Sequence, residues 1–196
     1  MSINLNSTVP TKTPTISQRN QFQRSLGVVP SPIAITQVPG TITIQGMTST
    51  YTMGSFLYVD DPTAVTEINL AHVGHCIIDA SSMSNLTTLN CSFNALTALD
   101  VTGCAALNTL DCGYSGLTSL DVSGCNALRF LSCNNNQLTA SSVDNIIIDL
   151  NTNGITTGYL NLSGGTNAAP TLSDPNVSGA LANLIDILSW SVTVNT

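Results

Sequence analysis

Residues 96–125, LTALDVTGCAALNTLDCGYSGLTSLDVSGC, state almost the same phrase twice. The interval holds over a longer stretch. Leu86, Leu107 and Leu128 lie 21 residues apart, as do Leu89, Leu110 and Leu131, then Cys91, Cys112 and Cys133, then Leu96, Leu117 and Leu138. A second set interleaves with the first: Leu99 and Leu120, Asp100 and Asp121, Val101 and Val122, Cys104 and Cys125. One step earlier a degenerate copy runs through Val65, Ile68, Leu70, Ile78, Asp79, Ala80 and Met83. A fixed interval of this length predicts supersecondary units stacked on one another, none of which buries its apolar face alone.

Within each turn an apolar pair of the form LxL, LxV or LxC occurs twice, offset by 10 and then 11 residues. Such alternation predicts a short strand with two side chains pointing inward. Two strands per turn make a flattened coil. Coils stacked at ~4.8 Å let each strand pair in parallel with its copy in the next turn. Asn94, Gly103, Gly116, Gly124 and Asn136 are the residues expected to supply the bends. The motif, LxxLxCxxNxLTxLDVSGCxx, resembles the leucine-rich repeat family in its short 21-residue bacterial and viral form. The resemblance covers residues 65–138. It implies a solenoid and, for the family, recognition of a protein or a surface; it brings no catalytic residues.

Cys91, Cys112 and Cys133 fill the inward position that Leu70 fills in the first turn, and Cys104 and Cys125 fill that of Met83. They are expected to be free, packed thiols. Side chains on neighbouring parallel strands lie side by side, which suits neither a disulfide nor a metal. Asp79, Asp100 and Asp121 form a second column. Its carboxylates are expected to hold the turn that follows each, with a calcium column as the alternative. His72, His75 and Cys76 have metal-like spacing, but His75 aligns with Leu96 and Leu117 and is expected in the core.

Only 8% of the chain is charged and 42% is hydrophobic, so its polar surface must come from Thr, Ser and Asn. The net charge is −7, and after Arg24 only Arg129 is basic. Such a surface repels phosphate and argues against nucleic acid. No apolar run reaches the roughly 20 residues of a membrane span. The opening MSINLNSTVPTKTP lacks the basic start and apolar core of a secretory signal, so export by such a signal is not expected. With two histidines and no paired acid and base, the chain is not expected to be an enzyme or to hold a cofactor.

After Leu138 the pattern changes. TASSVDNIIIDLNTNG predicts a helix capped by Ser141 or Ser142 and stopped by Gly154. GYLNLSGG returns to a strand with Leu160 and Leu162 inward. NVSGALANLIDILSW predicts a second helix, with Leu181, Leu184, Ile185 and Leu188 at helical spacing. SWSVTVNT closes as a strand with Trp190, Val192 and Val194 on one side. This order, with SGGTNAAPT at residues 163–171 and a terminal WSVTVN, resembles the C-terminal module of many tailed-phage virion structural proteins. Ser189 departs from that pattern, where glycine usually precedes the tryptophan, and a modified last turn is expected.

The expected fold is mainly β with some α. It comprises a leucine-rich-repeat solenoid at 63–140, a helix–strand–helix–strand cap at 141–196, a β-rich cap at 41–62, and an extended arm at 1–40. The arm holds a short helix at 17–26. Its Lys12, Arg19, Phe22, Arg24 and Leu26 suit docking on an acidic partner.

The resemblances together imply a virion structural protein, a fibre, decoration or receptor-binding element of head or tail. It would be anchored to other virion proteins through residues 1–40 and display its repeats to a host surface receptor or glycan. Appendages of this kind are often symmetric, so a homo-oligomer is expected, a trimer first. A bacterial cell-surface adhesin and an intracellular interaction module are the alternatives. The candidate recognition positions are the outward strand residues Glu67, Asn69, Thr88, Asn90, Thr109, Asp111, Phe130 and Ser132, with Arg129 beside Phe130 as an aromatic–arginine pair. For Phe130 the alternative is packing against the capping helix.

Overall fold

In the computed structural model, the described residues are Thr63, 65–72, 76–81 without the Cys76, Ile77 and Asp79 side chains, and 83–196. Five short strands before them are described by backbone alone. These are β1 (Ser2–Ile3), β2 (Ile33–Ile35), β3 (Ile42–Gln45), β4 (Thr50–Met53) and β5 (Phe56–Val59). The expected helix at 17–26, the docking residues Lys12, Arg19, Phe22, Arg24 and Leu26, and His75 lie outside the described residues.

The chain is a mixed α/β structure built on a parallel sheet of six strands with two helices. Those strands are β6 (Glu67–Asn69), β8 (Thr88–Asn90), β10 (Thr109–Asp111), β11 (Phe130–Ser132), β12 (Tyr159–Asn161) and β13 (Ser191–Thr193). From β6 to β11 neighbours pair in a register that keeps the sequence interval, Thr88 opposite Thr109 and Thr109 opposite Phe130, and β12 and β13 join at longer intervals. The central residues Ile68, Leu89, Leu110, Leu131 and Leu160 are all buried, and their flanking residues are not. Just beyond the strands the pairing continues. Cys91 N–H donates to Asp111 O (2.8 Å), Cys112 N–H to Ser132 O and Cys133 N–H to Asn161 O (2.9 Å each). At the N-terminal end β3 closes the sheet antiparallel to β6, and β1 pairs with β3.

A second sheet runs in the order β4-β5-β2-β7-β9, where β7 is Cys76–Asp79 and β9 is Ala98–Asp100. Strands β1 and β2 fall inside the expected arm and pair with β3 and with β5 and β7. The expectation of two strands in every turn is corrected. Residues 119–121 form no strand. Leu120 N–H donates instead to Ser142 Oγ (3.1 Å), because a helix takes the place of a further strand there.

That helix, α1 (Ala140–Asn153), buries Val143, Ile146, Ile147 and Leu150. Its N-cap is Thr139, whose hydroxyl accepts from Ser142 N–H, rather than Ser141 or Ser142. Ser142 is buried and occupied with Leu120, so the exposed threonine one turn earlier caps. Gly154 ends α1 at φ 65° as expected. Helix α2 (Pro175–Asp186) starts from Asp174 and buries Val177, Ala180 and Leu184. Ile185, expected inward, is 46% exposed, because the buried stripe runs from Val177 instead.

Cys91, Cys104, Cys112, Cys125 and Cys133 are all buried, and none of them is in a disulfide. Cys104 Sγ donates to Ala80 O (3.2 Å) and Cys125 Sγ to Val101 O (3.5 Å), each one turn back. Burial, with lesser help from Cys104 and Asp121, pushes the Cys125 thiol up to about 12. The Cys133 hydrogen bond and burial push Cys112 well above the ordinary thiol range.

Candidate recognition face

The outward side of the six-stranded sheet carries two rows. Glu67, Thr88, Thr109, Phe130, Tyr159 and Ser191 stand opposite one another in register. Asn69, Asn90, Asp111, Ser132, Asn161 and Thr193 form the second row. The sheet therefore brings every expected recognition position onto one face, but it gives the rows different work. In the second row the side chains end the strands. Asn69 Oδ1 accepts from Ala71 N–H (3.1 Å), Asn90 Oδ1 from Ser92 N–H (3.1 Å), Asp111 Oδ1 from Gly113 N–H (3.1 Å) and Asn161 Oδ1 from Ser163 N–H (3.1 Å). Ser132 Oγ donates to Asn134 Oδ1 (2.9 Å). These are turn-closing bonds of the Asx kind.

In the first row Phe130 is 36% exposed and stacks on Tyr159 with ring centroids 4.8 Å apart. Arg129 does not pair with it. The guanidinium donates to Thr156 O and Thr157 O, which pins the turn before β12.

A second aromatic column stands three residues beyond the strands. His72, Phe93 and Tyr114 repeat at the 21-residue interval and stack face to face, with centroids 4.4 and 4.5 Å apart. Phe93 is 47% and Tyr114 50% exposed. All three hold left-handed backbone, φ 59°, 55° and 53°, and Asn135 continues the column at 54°. Asparagine adopts this conformation readily; for bulky residues it costs roughly 1–2 kcal/mol each. Hydrogen bonds to the next turn hold it: His72 N–H to Ser92 O, Phe93 N–H to Gly113 O, Tyr114 N–H to Asn134 O and Asn135 N–H to Ser163 O. Bends therefore lie here as well as where they were expected, at Asn94 and in the turns that hold Gly103 and Gly124, and those two glycines have a second task. A Cβ on Gly103 would stand 1.6 Å from Ser81 O and one on Gly124 2.0 Å from Thr102 O, so these glycines allow close stacking of turns.

Asn94 and Asn136 are buried and bind backbone. Asn94 Nδ2 donates to Leu70 O (2.9 Å) and Cys91 O (2.7 Å). Asn136 Nδ2 donates to Cys112 O (3.0 Å) and Cys133 O (3.1 Å), while its Oδ1 accepts from Leu117 N–H (3.0 Å). Asn167, in the SGGTNAAPT loop, repeats the pattern with Cys133 O and Leu138 N–H. The loop is thus the next rung of an asparagine column, and it joins the cap to the repeats. Ser189 holds φ 56°, which is why glycine suits that place.

On the other side, an open polar cleft of about 410 Å³ lies between residues 119–123 and α1. Asp100 Oδ1 accepts from Thr102 N–H and Oγ1, and Asp121 Oδ1 from Ser123 N–H and Oγ, so both hold their turns. The Ser123 hydroxyl and amide keep Asp121 below the usual carboxylate range. Burial, with the nearby Asp121 charge, pushes Asp149 up. Among the described residues no group of three or more His, Cys, Asp or Glu side chains converges on a metal-sized site, and no helix is long and apolar enough to cross a membrane. Comparison with family models, with curated proteins and with solved structures gives no match.

Proposed function

We propose that the chain is a leucine-rich-repeat solenoid serving as a structural recognition element of a phage virion. It binds rather than transforms its target. In this reading residues 1–40 attach it, outside their two paired strands, to other virion proteins. The outward sheet face meets a host receptor or glycan, and the element works as a homo-oligomer. The constant register from β6 to β11 supports the solenoid, and the SGGTNAAPT module supports the virion setting. The observation that carries recognition is the exposed His72–Phe93–Tyr114 column. Stacking offsets part of the cost of bulky rings in left-handed backbone, and strain of this kind gathers where a surface has a task.

Immunogold microscopy of the source lysate, with antibody against residues 63–196, tests the setting. Gold on particles is expected; gold on cell envelopes with bare particles overturns the virion reading in favour of an adhesin. For the face, a Phe93→Gly/Tyr114→Gly chain should keep its circular dichroism and lose adsorption to host cells. Unchanged adsorption would remove the column from the recognition surface.

A further inference from the structure

Among the described residues β13 is the last strand of the larger sheet. On its inner side Ser191 N–H donates to Gly158 O (2.9 Å), and Thr193 O accepts from Leu162 N–H (2.8 Å). Backbone groups alternate in direction along a strand, so Val192 and Val194 aim theirs away from β12. The opposite end of the sheet continues into antiparallel β3 and the two-residue strand β1. Edge strands are commonly guarded by lysine, proline or a bulge. Here residues 187–196, ILSWSVTVNT, contain none of the chain's eleven acidic and four basic residues. The last turn of α2 exposes Ile185, and the connection from it to β13 exposes Ile187 by 72%.

We propose that this edge pairs with the same edge of a second copy, β13 antiparallel to β13 across a two-fold axis. Opposing residues of an antiparallel pair share a face. With Val192 opposite Val194 of the second copy, each such pair exchanges both N–H···O=C bonds, and the axis passes between the two Thr193 residues. The half-buried valines, packed against the core, then meet valines, and exposed Thr193 meets Thr193. Charge selects the occupant. Copies of a chain with net charge −7 repel one another, and this uncharged, self-complementary segment lets them approach. A two-fold contact closes at two copies, not the three expected from appendage symmetry. The inference stands independently of the virion reading.

Sedimentation velocity on the full chain tests it. The expected species has twice the 20.4 kDa protomer mass. Thr193→Lys and Thr193→Glu should each be monomeric with unchanged circular dichroism, and an equimolar mixture should restore the dimer. Hydrogen exchange on the unmodified chain gives a second readout, with the Val192 and Val194 amides slowing about tenfold or more as the dimer fills. A monomer at about 100 µM, a three-copy species, dimeric single variants, a mixture that stays monomeric, or amides indifferent to concentration would each overturn the proposal.

Discussion

Replacing Asn136 by alanine tests whether the asparagine column holds the turns together. The side chain is 1% exposed and serves three backbone groups in two successive turns. Cys133 O keeps a partner after the substitution, because Asn167 Nδ2 also donates to it (3.0 Å). Leu117 N–H and Cys112 O lose theirs. Each buried, unsatisfied backbone group costs about 1–3 kcal/mol, so the loss should be about 2–6 kcal/mol, toward the lower end if water fills the vacated space. That is a large share of the roughly 5–15 kcal/mol that keeps a domain folded. For a chain of this size the melting temperature should fall by about 4–20 °C. Urea unfolding followed by circular dichroism measures it directly. A change within about 0.5 kcal/mol of the unaltered chain, the ordinary range for an inconsequential substitution, would refute the reasoning.

Ser115 occupies the rung between Asn94 and Asn136, and its hydroxyl turns to Gly113 O (3.4 Å), leaving Leu96 N–H without the acceptor that Leu117 and Leu138 have. Ser115→Asn should therefore raise unfolding free energy by about 1 kcal/mol in the same assay. Gly124→Ala drives a Cβ to 2.0 Å from Thr102 O and should cost about 1–3 kcal/mol or more, read as a lower urea midpoint. Asp149→Asn should raise the melting temperature at neutral pH. The folded-state carboxyl is pushed up, so its ionised form weakens the fold above that value, and the gain should vanish below the unfolded value of about 3.9. Asp121→Asn should do the opposite, because its depressed carboxyl stabilises the fold at neutral pH and loses that contribution as pH falls through its lowered value.

The register of the four strands from β6 to β11 was legible because leucine and cysteine mark inward positions by type, and the interval repeats them. The thiols and the turn-holding role of Asp100 and Asp121 followed from the same alignment. What escaped was set by contacts between turns. Gly103 and Gly124 sit in turns, as composition suggests, but they also let a carbonyl of the preceding turn approach, which no local rule reveals. The aromatic column hid because His72, Phe93 and Tyr114 differ in type and sit where glycine or asparagine is expected; their common 21-residue spacing was the available signal. Arg129 looked free beside Phe130 because Thr156 and Thr157 are remote in sequence. The missing strand at 119–121 depends on α1 docking through Ser142, a tertiary event.

Asn167 meets the last repeat with the same bonds that Asn136 uses toward the one before it. The cap therefore reads only its immediate neighbour and is blind to how many turns precede it. A duplication or deletion of one whole interval would leave every junction chemically familiar. The length of the outward face can thus change by single steps of inheritance, each adding or removing a strand's worth of surface while both ends keep their fit.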